Sequence, residues 1–217
     1  MKIAINGRSG RMGRAVLDCI AEDADLADAA LTADPDVIID FSRPMATLSL
    51  LPLVVEKKIP LIIGTTGFSP AELVKINMAA ERTVVVLSPN MGIGINVCFK
   101  ALEEMARSLK DTPDVEAAIY DLHHAGKVDA PSGTAIKLEE AIKNGGFKGS
   151  VQHLSARMGD VIGEHQVIFT LPGERIELTH RASSRVNFAK GAIKAARWAT
   201  QQQKPGLYSM QQVLGLD

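Results

Sequence analysis

The first twenty residues set the tightest limit on the fold. Lys2–Asn6 (KIAIN) is a short apolar strand, Gly7–Gly13 (GRSGRMG) spaces glycines at every third position, and Arg14–Ile20 (RAVLDCI) has helical spacing of apolar residues. Strand, glycine loop and helix in that order form the entry to a parallel α/β sheet. The glycines allow a tight turn and close backbone approach to a pyrophosphate, which would rest on the N–H groups of the helix start. The spacing G-x-x-G-x-x-G is a variant of the usual dinucleotide fingerprint, and Arg8 and Arg11 add positive charge to it. No Gly-Lys-Ser/Thr follows, which argues against a nucleoside-triphosphate P-loop.

The pattern repeats down the chain. Val37–Phe41 (VIIDF), Leu61–Ile63 (LII) and Thr83–Leu87 (TVVVL) are buried-type strands, each followed by a helical segment. Ser42-Arg43-Pro44 and Ser69-Pro70-Ala71-Glu72 are helix starts, the second with capping-box spacing. Four strands alternating with helices imply a parallel sheet covered on both faces. Ligands bind such sheets at the carboxyl ends of the strands. Loops 7–13, 41–43, 64–67 and 88–92 are those ends, and all carry glycine or small polar residues. A dinucleotide fold also calls for a second strand ending in an acid about 20 residues after the glycine loop. Residues 21–36 (AEDADLADAALTADPD) contain no β-branched run and read as a helix end plus an acidic connection. Asp25, Asp28 and Asp34 are the candidates for a ribose contact, against the plainer alternative of a solvated surface.

A second constellation lies at His123–Ala135 (HHAGKVDAPSGTA). Val115–Leu122 before it reads as a strand and Thr134–Ile142 after it as a helix. This places His123, His124 and Lys127 on the connecting loop, with Ser132 or Thr134 as N-cap. Free amides at Gly133 and Thr134 together with the Lys127 ammonium would attract a carboxylate or phosphate, and a histidine beside them moves protons near neutral pH. The competing readings are a solvated strand end and a metal site using His123, His124, Asp121 and Asp129. Adjacent histidines point apart on an extended backbone, which disfavours a shared ion.

Ile95–Leu109 reads as a long helix. Glu164–Leu171 and Arg175–Arg181 read as an antiparallel pair around Pro172-Gly173, Ser184–Thr200 as a helix, and the tail from Pro205 as a turn with a short helix. Net charge is −1 and aromatic residues make up 4% of the chain. Neither favours nucleic acid or an anionic membrane as partner. No apolar run reaches membrane-spanning length, and MKIAING leaves no room for a signal peptide. The two cysteines, Cys19 and Cys98, sit in helix-like patterns and suggest a reduced, cytoplasmic protein.

Taken together, GRSGRMG, DFSRP (40–44), GTTGF (64–68), PNMGIGIN (89–96), HHAGKVDAPSGTA and THRASSRVNFAKGA (179–192) resemble the 4-hydroxy-tetrahydrodipicolinate (dihydrodipicolinate) reductase family. The motifs run in order along nearly the whole chain. The resemblance implies a Rossmann-like parallel-sheet nucleotide-binding domain from residues 1–93 and 184–217. It also implies a central α+β domain with a mixed sheet, residues 94–183, for substrate and tetramerisation. It implies NADH or NADPH as cofactor, a small cyclic dicarboxylate as substrate, and a homotetramer serving the diaminopimelate route to lysine. Gly7, Arg8, Ser9, Gly10, Arg11 and Met12 would cradle the pyrophosphate. Gly64, Thr65 and Thr66 would lie along the nicotinamide, with Pro89, Asn90 and Met91 closing on it. His124, Lys127, Gly133 and Thr134 would hold the substrate. Hydride from nicotinamide C4 and a proton from His123, with Lys127 assisting, would complete the reduction. No metal is implied.

The chain departs from the family pattern in three places. It is short, and the second strand with its ribose acid is expected to be missing; Arg8, Arg11 and Arg43 then stand as candidates for a 2′-phosphate. Asp121 replaces a commoner Glu, and Met91-Gly92 a commoner Phe-Ser, which is expected to alter the nicotinamide contact. Arg157, Arg181 and Arg185 are further cations with an equal claim to being intradomain salt bridges. Two rival functions remain: a non-catalytic or degenerate dinucleotide-binding member of the fold, and a metal-dependent hydrolase.

Overall fold

The computed structural model describes residues 1–216. They divide into two compact units, Met1–Ile93 with the segment from Arg185 onward, and Gly94–Ser184. In the first unit the strands are β1 (Lys2–Asn6), β2 (Ala27–Ala29), β3 (Val37–Asp40), β4 (Leu61–Ile63), β5 (Val84–Leu87) and, numbered along the whole chain, β10 (Gly206–Tyr208). They form one sheet in the order β10-β5-β4-β3-β1-β2, and every pairing in it is parallel. Alternation along each strand splits its apolar residues between two cores. Ile3, Ile5, Ile39 and Val86 pack on one face with α1 (Arg11–Ala21) and α6 (Val186–Ala199). Ala4, Ile38, Ile63 and Val85 pack on the other with α2 (Pro44–Lys57) and α3 (Pro70–Ala80). Strands buried on both faces read as near-continuous apolar runs, which is why β3 and β5 are so plain in the sequence.

Helix starts follow local chemistry. Pro44 supplies the first turn of α2, and Ser69 and Glu72 close a reciprocal capping box on α3. The β1–α1 turn needs its glycines for packing as well as for conformation. Gly7 has φ +88° and a Cβ there would lie 2.3 Å from the Phe41 carbonyl oxygen; a Cβ at Gly13 would lie 2.3 Å from the Gly7 oxygen.

The second unit holds β6 (Glu116–His123), β7 (Val151–Arg157), β8 (Gly163–Leu171) and β9 (Glu174–Ala182), ordered β7-β6-β8-β9. The β6–β7 pair is parallel and the other two pairs antiparallel, so the sheet is mixed. One face is covered by α4 (Ile93–Leu109) and α5 (Gly133–Asn144), with Phe99, Leu102, Leu138 and Ile142 packed on Ile119, Val167 and Phe169. The other face carries Ala118, Tyr120 and Leu122 of β6. In register beside them stand Gln152, Leu154 and Ala156 of β7.

Several expectations are corrected here. The second strand of the nucleotide fold is present: β2 is three residues long and pairs Lys2–Ala4 with Ala27–Ala29. An edge strand of alanines and one aspartate has no strand propensity to announce it and is made by its neighbour's unpaired backbone. The sheet has six strands rather than four, because Gly206–Tyr208 adds beside β5 where only a turn was expected. Strand β7 was also not anticipated; its sequence, VQHLSAR, breaks alternation with a central Leu154 on the uncovered face. Finally, His123 is the last residue of β6 and 8% exposed, not part of an open loop.

The closest backbone approach in the first unit is at Gly191 of α6, where a Cβ would fall 1.8 Å from the Met91 carbonyl oxygen. Glycine in a helix interior ordinarily costs about 1 kcal/mol relative to alanine. Here overpacking against backbone outweighs that gain, so Gly191→Ala should destabilise by about 1–3 kcal/mol. Denaturant unfolding checks this, and an unchanged or raised midpoint would contradict it.

Candidate functional site

In the first unit, parallel register brings the expected loops to one edge. Asn6, Asp40, Ile63 and Leu87 are successive neighbours across the sheet at the carboxyl ends of β1, β3, β4 and β5. Residues Gly7–Gly10 follow β1, and Arg11 and Met12 begin α1, whose N-cap Gly10 makes no side-chain cap bond. Gly64, Thr65 and Thr66 follow β4; Pro89, Asn90 and Met91 follow β5. A side chain at Gly64 would strike the Phe41 ring 2.1 Å away, so the backbone there stays bare, while a Cβ at Gly67 would meet nothing within 4 Å. The glycine turn, the uncapped helix start and this bare edge fit a dinucleotide.

These ends are held by Asp40, which is fully buried. Its Oδ1 accepts from Asn6 Nδ2 (2.8 Å) and Ser42 Oγ (2.5 Å), and its Oδ2 from Thr65 Oγ1 (3.0 Å) and from the Thr47 hydroxyl. The Ser42 N–H in turn donates to Thr65 Oγ1 at 2.8 Å. The Thr65 side chain is thus buried in this network, and any contact it makes with a ligand is through its backbone. Met91 is 1% exposed and packed in the core beside α6. The altered nicotinamide contact expected at Met91 is therefore not made by an exposed side chain, since that side chain is buried in the core. Asp28, on β2, takes both terminal nitrogens of Arg8 at 2.7 and 2.8 Å. Asp28 is thus the one of the three candidate acids Asp25, Asp28 and Asp34 that stands on the second strand.

The second unit gathers the other residues. His123 Nδ1 lies 3.0 Å from Asp121 Oδ1. Alternation along β6 puts these two side chains on the same, helix-covered face. Asp121 is 1% exposed and also meets Arg157 Nη1 at 2.8 Å, Ser155 Oγ at 2.5 Å and the Ser132 N–H at 3.4 Å. Burial works to raise the Asp121 carboxyl, but the Ser155 hydroxyl, Arg157 and the Ser132 amide outweigh it and hold it below the usual carboxylate range. Burial, and then the nearby Lys127 ammonium, push His123 below the ordinary histidine value, opposed by Asp121. A Cβ at Gly163 would lie 3.0 Å from His123 Nε2, so glycine keeps that nitrogen clear.

Ser132 caps α5 by accepting from the Ala135 N–H at 3.1 Å. Its hydroxyl also lies 3.2 Å from His165 Nε2. His165 stands edge-on to His123, with ring centroids 5.1 Å apart, and burial drives its pKa down to about 3. It is therefore a neutral wall. On the loop, Lys127 Nζ donates to Asp129 Oδ1 at 2.7 Å. Burial favours a protonated Asp129, yet Lys127 and the Gly133 N–H hold its carboxyl below the usual range. Asp129 thus rests on two of the groups expected to take an anion. A Cβ at Gly133 would meet nothing within 4 Å, so the start of α5 opens to free space.

The structure brings His123, Lys127, Gly133 and their neighbours into one unit and the glycine-loop residues into the other. Ser155 and His165 were missed as site residues; Asp121 was weighed only as a metal ligand, and Arg157 only as a cation with an equal claim to an intradomain salt bridge, which it makes with Asp121. The signal available for Asp121 was its i,i+2 spacing from His123 on a strand; Arg157 sits 36 residues away and had none. Among the described residues no group of three His, Cys, Asp or Glu is placed to hold a metal, and no helix is long and apolar enough to cross a membrane.

Comparison with known proteins gives the family. Residues 24–91 match "Dihydrodipicolinate reductase, N-terminus" and residues 94–214 match "Dihydrodipicolinate reductase, C-terminus". The 4-hydroxy-tetrahydrodipicolinate reductase of Thiobacillus denitrificans is 38% identical over 268 residues, covering 100% of this chain and 99% of that protein. That of Magnetococcus marinus is 46% identical over 201 residues, covering 84% and 74%. Among solved structures, a dipicolinate-bound dihydrodipicolinate reductase from Paenisporosarcina sp. TG-14 superposes with a TM-score of 0.78 over 96% of this chain and 97% of that one. At 22% identity it speaks for the fold alone. With family models matching residues 24–91 and 94–214, and the Thiobacillus denitrificans protein aligned over the full length of both chains, this chain belongs to the dihydrodipicolinate reductase family.

Proposed function

We propose that His123 is the general acid of this enzyme and that Lys127, His124, Gly133 and Thr134 hold its substrate. The chain is a nicotinamide-dependent oxidoreductase that reduces 4-hydroxy-tetrahydrodipicolinate to tetrahydrodipicolinate on the diaminopimelate route to lysine. The observation that carries the site reading is the grouping of a carboxylate-backed histidine, a lysine and an open helix start within one unit. When bound, the reduced nicotinamide supplies a hydride; all else falls to the chain. A substrate carboxylate displaces the Asp129 side chain and takes over the Lys127 ammonium and the α5 amides at Gly133 and Thr134. Lys127 then lies beside the negative charge that develops as hydride adds, and stabilises it electrostatically. His123 delivers its proton from Nε2, the nitrogen left clear by Gly163, to complete the reduction, and loss of the 4-hydroxyl as water balances the conversion to tetrahydrodipicolinate.

The domain roles follow the same reading. Residues 1–93 and 184–217 bind the dinucleotide, and residues 94–183 bind substrate and assemble the tetramer. Support for assembly comes from the uncovered sheet face, where Tyr120 and Leu154 are side by side and half-exposed, with Leu122 and Ala156 next in register. A mixed sheet with an apolar free face is a surface that a second copy would bury. Both cysteines are free thiols, in keeping with a reducing cytoplasm.

His123→Ala tests the assignment. Turnover should fall by roughly a hundredfold or more while NAD(P)H binding, monitored by nicotinamide fluorescence, is retained. Turnover near wild type would remove His123 from the mechanism.

For the cofactor we propose acceptance of both NADH and NADPH. Asp28 would take ribose hydroxyls, and Arg8 neutralises it. The Arg8–Asp28 pair is exposed and opens readily in water, so the guanidinium can turn to a 2′-phosphate alongside Arg11 and Arg43. Arg8→Ala and Arg11→Ala should each raise KM for NADPH more than for NADH, the first because a bare Asp28 repels the phosphate. Equal changes for the two cofactors would contradict this.

A further inference from the structure

Outside the residues already assigned, the most heavily bonded polar group in the second unit is the Asp121 carboxylate. Oδ1 receives both His123 Nδ1 (3.0 Å) and Arg157 Nη1 (2.8 Å); Oδ2 receives Ser155 Oγ (2.5 Å) and the Ser132 N–H (3.4 Å). The same guanidinium reaches further: Arg157 Nη2 donates to the Asp129 carbonyl oxygen at 2.6 Å. That carbonyl belongs to the residue whose side chain pairs with Lys127. Backbone bonds add to the frame, from the Met158 N–H to the His123 oxygen (2.9 Å) and from the Ala125 N–H to the Gly159 oxygen (3.1 Å). One end of β7 therefore grips the acid, through its carboxylate, and the lysine loop, through its backbone.

We propose that Asp121 and Arg157 are positioning residues for the proton transfer, Asp121 fixing the His123 ring with Nε2 free to donate and Arg157 locking that carboxylate and the Lys127 loop into one frame. The proposal rests on His123 as general acid. An ionised Asp121 can only accept, so His123 Nδ1 donates to it and the neutral ring carries its proton on Nδ1. Nε2 is then the nitrogen that gains and loses the catalytic proton. Because Arg157 shares Oδ1, it withdraws part of the negative charge that would otherwise stabilise the imidazolium. The charged and titratable groups around His123 are Asp121 on its own strand, Lys127 on the following loop, Arg157 on β7 and His165 on β8. His180 of β9 stands behind His165, with ring centroids 6.4 Å apart. Burial keeps both His165 and His180 below the ordinary histidine range, so neither adds a charge near neutral pH. Lys127 and Arg157 both lower the acid's pKa and Asp121 raises it; of the two cations, Arg157 is the one that shares Oδ1 with the His123 ring.

The signs can be worked out. His123 must be protonated to act, so activity falls as pH rises through its pKa. Asp121→Asn removes the stabilising carboxylate and should move that descending limb to lower pH. It should also cut kcat by roughly a hundredfold, as for a misplaced reacting group. Arg157→Gln releases the carboxylate to His123 and should move the limb to higher pH, while raising KM for the substrate because the Lys127 loop is loosened. A role confined to stability would shift neither limb. Both variants should bind NAD(P)H as wild type does, which also reports that they fold.

The experiment is the pH dependence of kcat/KM for wild type, Asp121→Asn, Arg157→Gln and His123→Ala, with the tautomer of His123 read by 15N NMR on the intact wild-type enzyme. Limbs displaced in opposite directions, and an Nδ1–H tautomer, are expected. Unmoved limbs, or an Nε2–H tautomer in wild type, would overturn the proposal. The tautomer decides it alone should a variant fail to fold. Retained turnover in His123→Ala would instead defeat the reading beneath it, so the two failures are distinct.

Discussion

A carboxylate taken out of water has to be met by donors on every side, and each unit of this protein is arranged around one such group. In the first, Asp40 collects the side chains of Asn6, Ser42, Thr47 and Thr65 and so ties the ends of β1, β3 and β4 to the start of α2. In the second, Asp121 collects His123, Arg157, Ser155 and the backbone of Ser132, drawing together β6, β7 and the start of α5. The requirement is local and severe: losing one partner leaves a charge buried and short of a donor. The loops that carry chemistry are held in place by it rather than by apolar packing alone.

Division of labour follows from this arrangement. The parallel sheet aligns strand ends and leaves bare backbone at Gly7, Gly64 and Gly67, which suits a long anionic cofactor bound through amides. The mixed sheet presents one buried histidine backed by a carboxylate, one lysine and one helix start, which suits a compact dicarboxylate and a single proton. Asp129 rests on Lys127, so these charges satisfy one another within the chain; in the proposed reading the substrate exchanges one carboxylate for another instead of desolvating bare charges.

Much of this is legible in the sequence because it depends on local rules. The glycine spacing, the valine and isoleucine runs of β3 and β5, the Ser69–Glu72 capping box and the His-Lys-Ser-Gly-Thr loop are all decided within a dozen residues. What escaped depends on partners distant in the chain. Strand β2, three residues of alanine and aspartate, exists because β1 offers it unpaired backbone groups; it singles out Asp28 from the three candidate acids and pairs it with Arg8. Strand β7 lacks clear alternation, so the sequence could weigh an intradomain salt bridge for Arg157 but not name its partners, Asp121 and the loop of Lys127. His123 looked like a loop residue because the strand runs one residue further than its apolar pattern. Met91 is the reverse case, where a residue adjacent to a binding loop turns its side chain into the core.

The most direct test is the loss of nicotinamide absorbance when the purified protein meets freshly generated 4-hydroxy-tetrahydrodipicolinate, run separately with NADH and NADPH. Oxidation that requires the substrate, with both cofactors serving, is the predicted result. Tight cofactor binding with no substrate-dependent oxidation would contradict it and leave a dinucleotide-binding protein without the reductase chemistry.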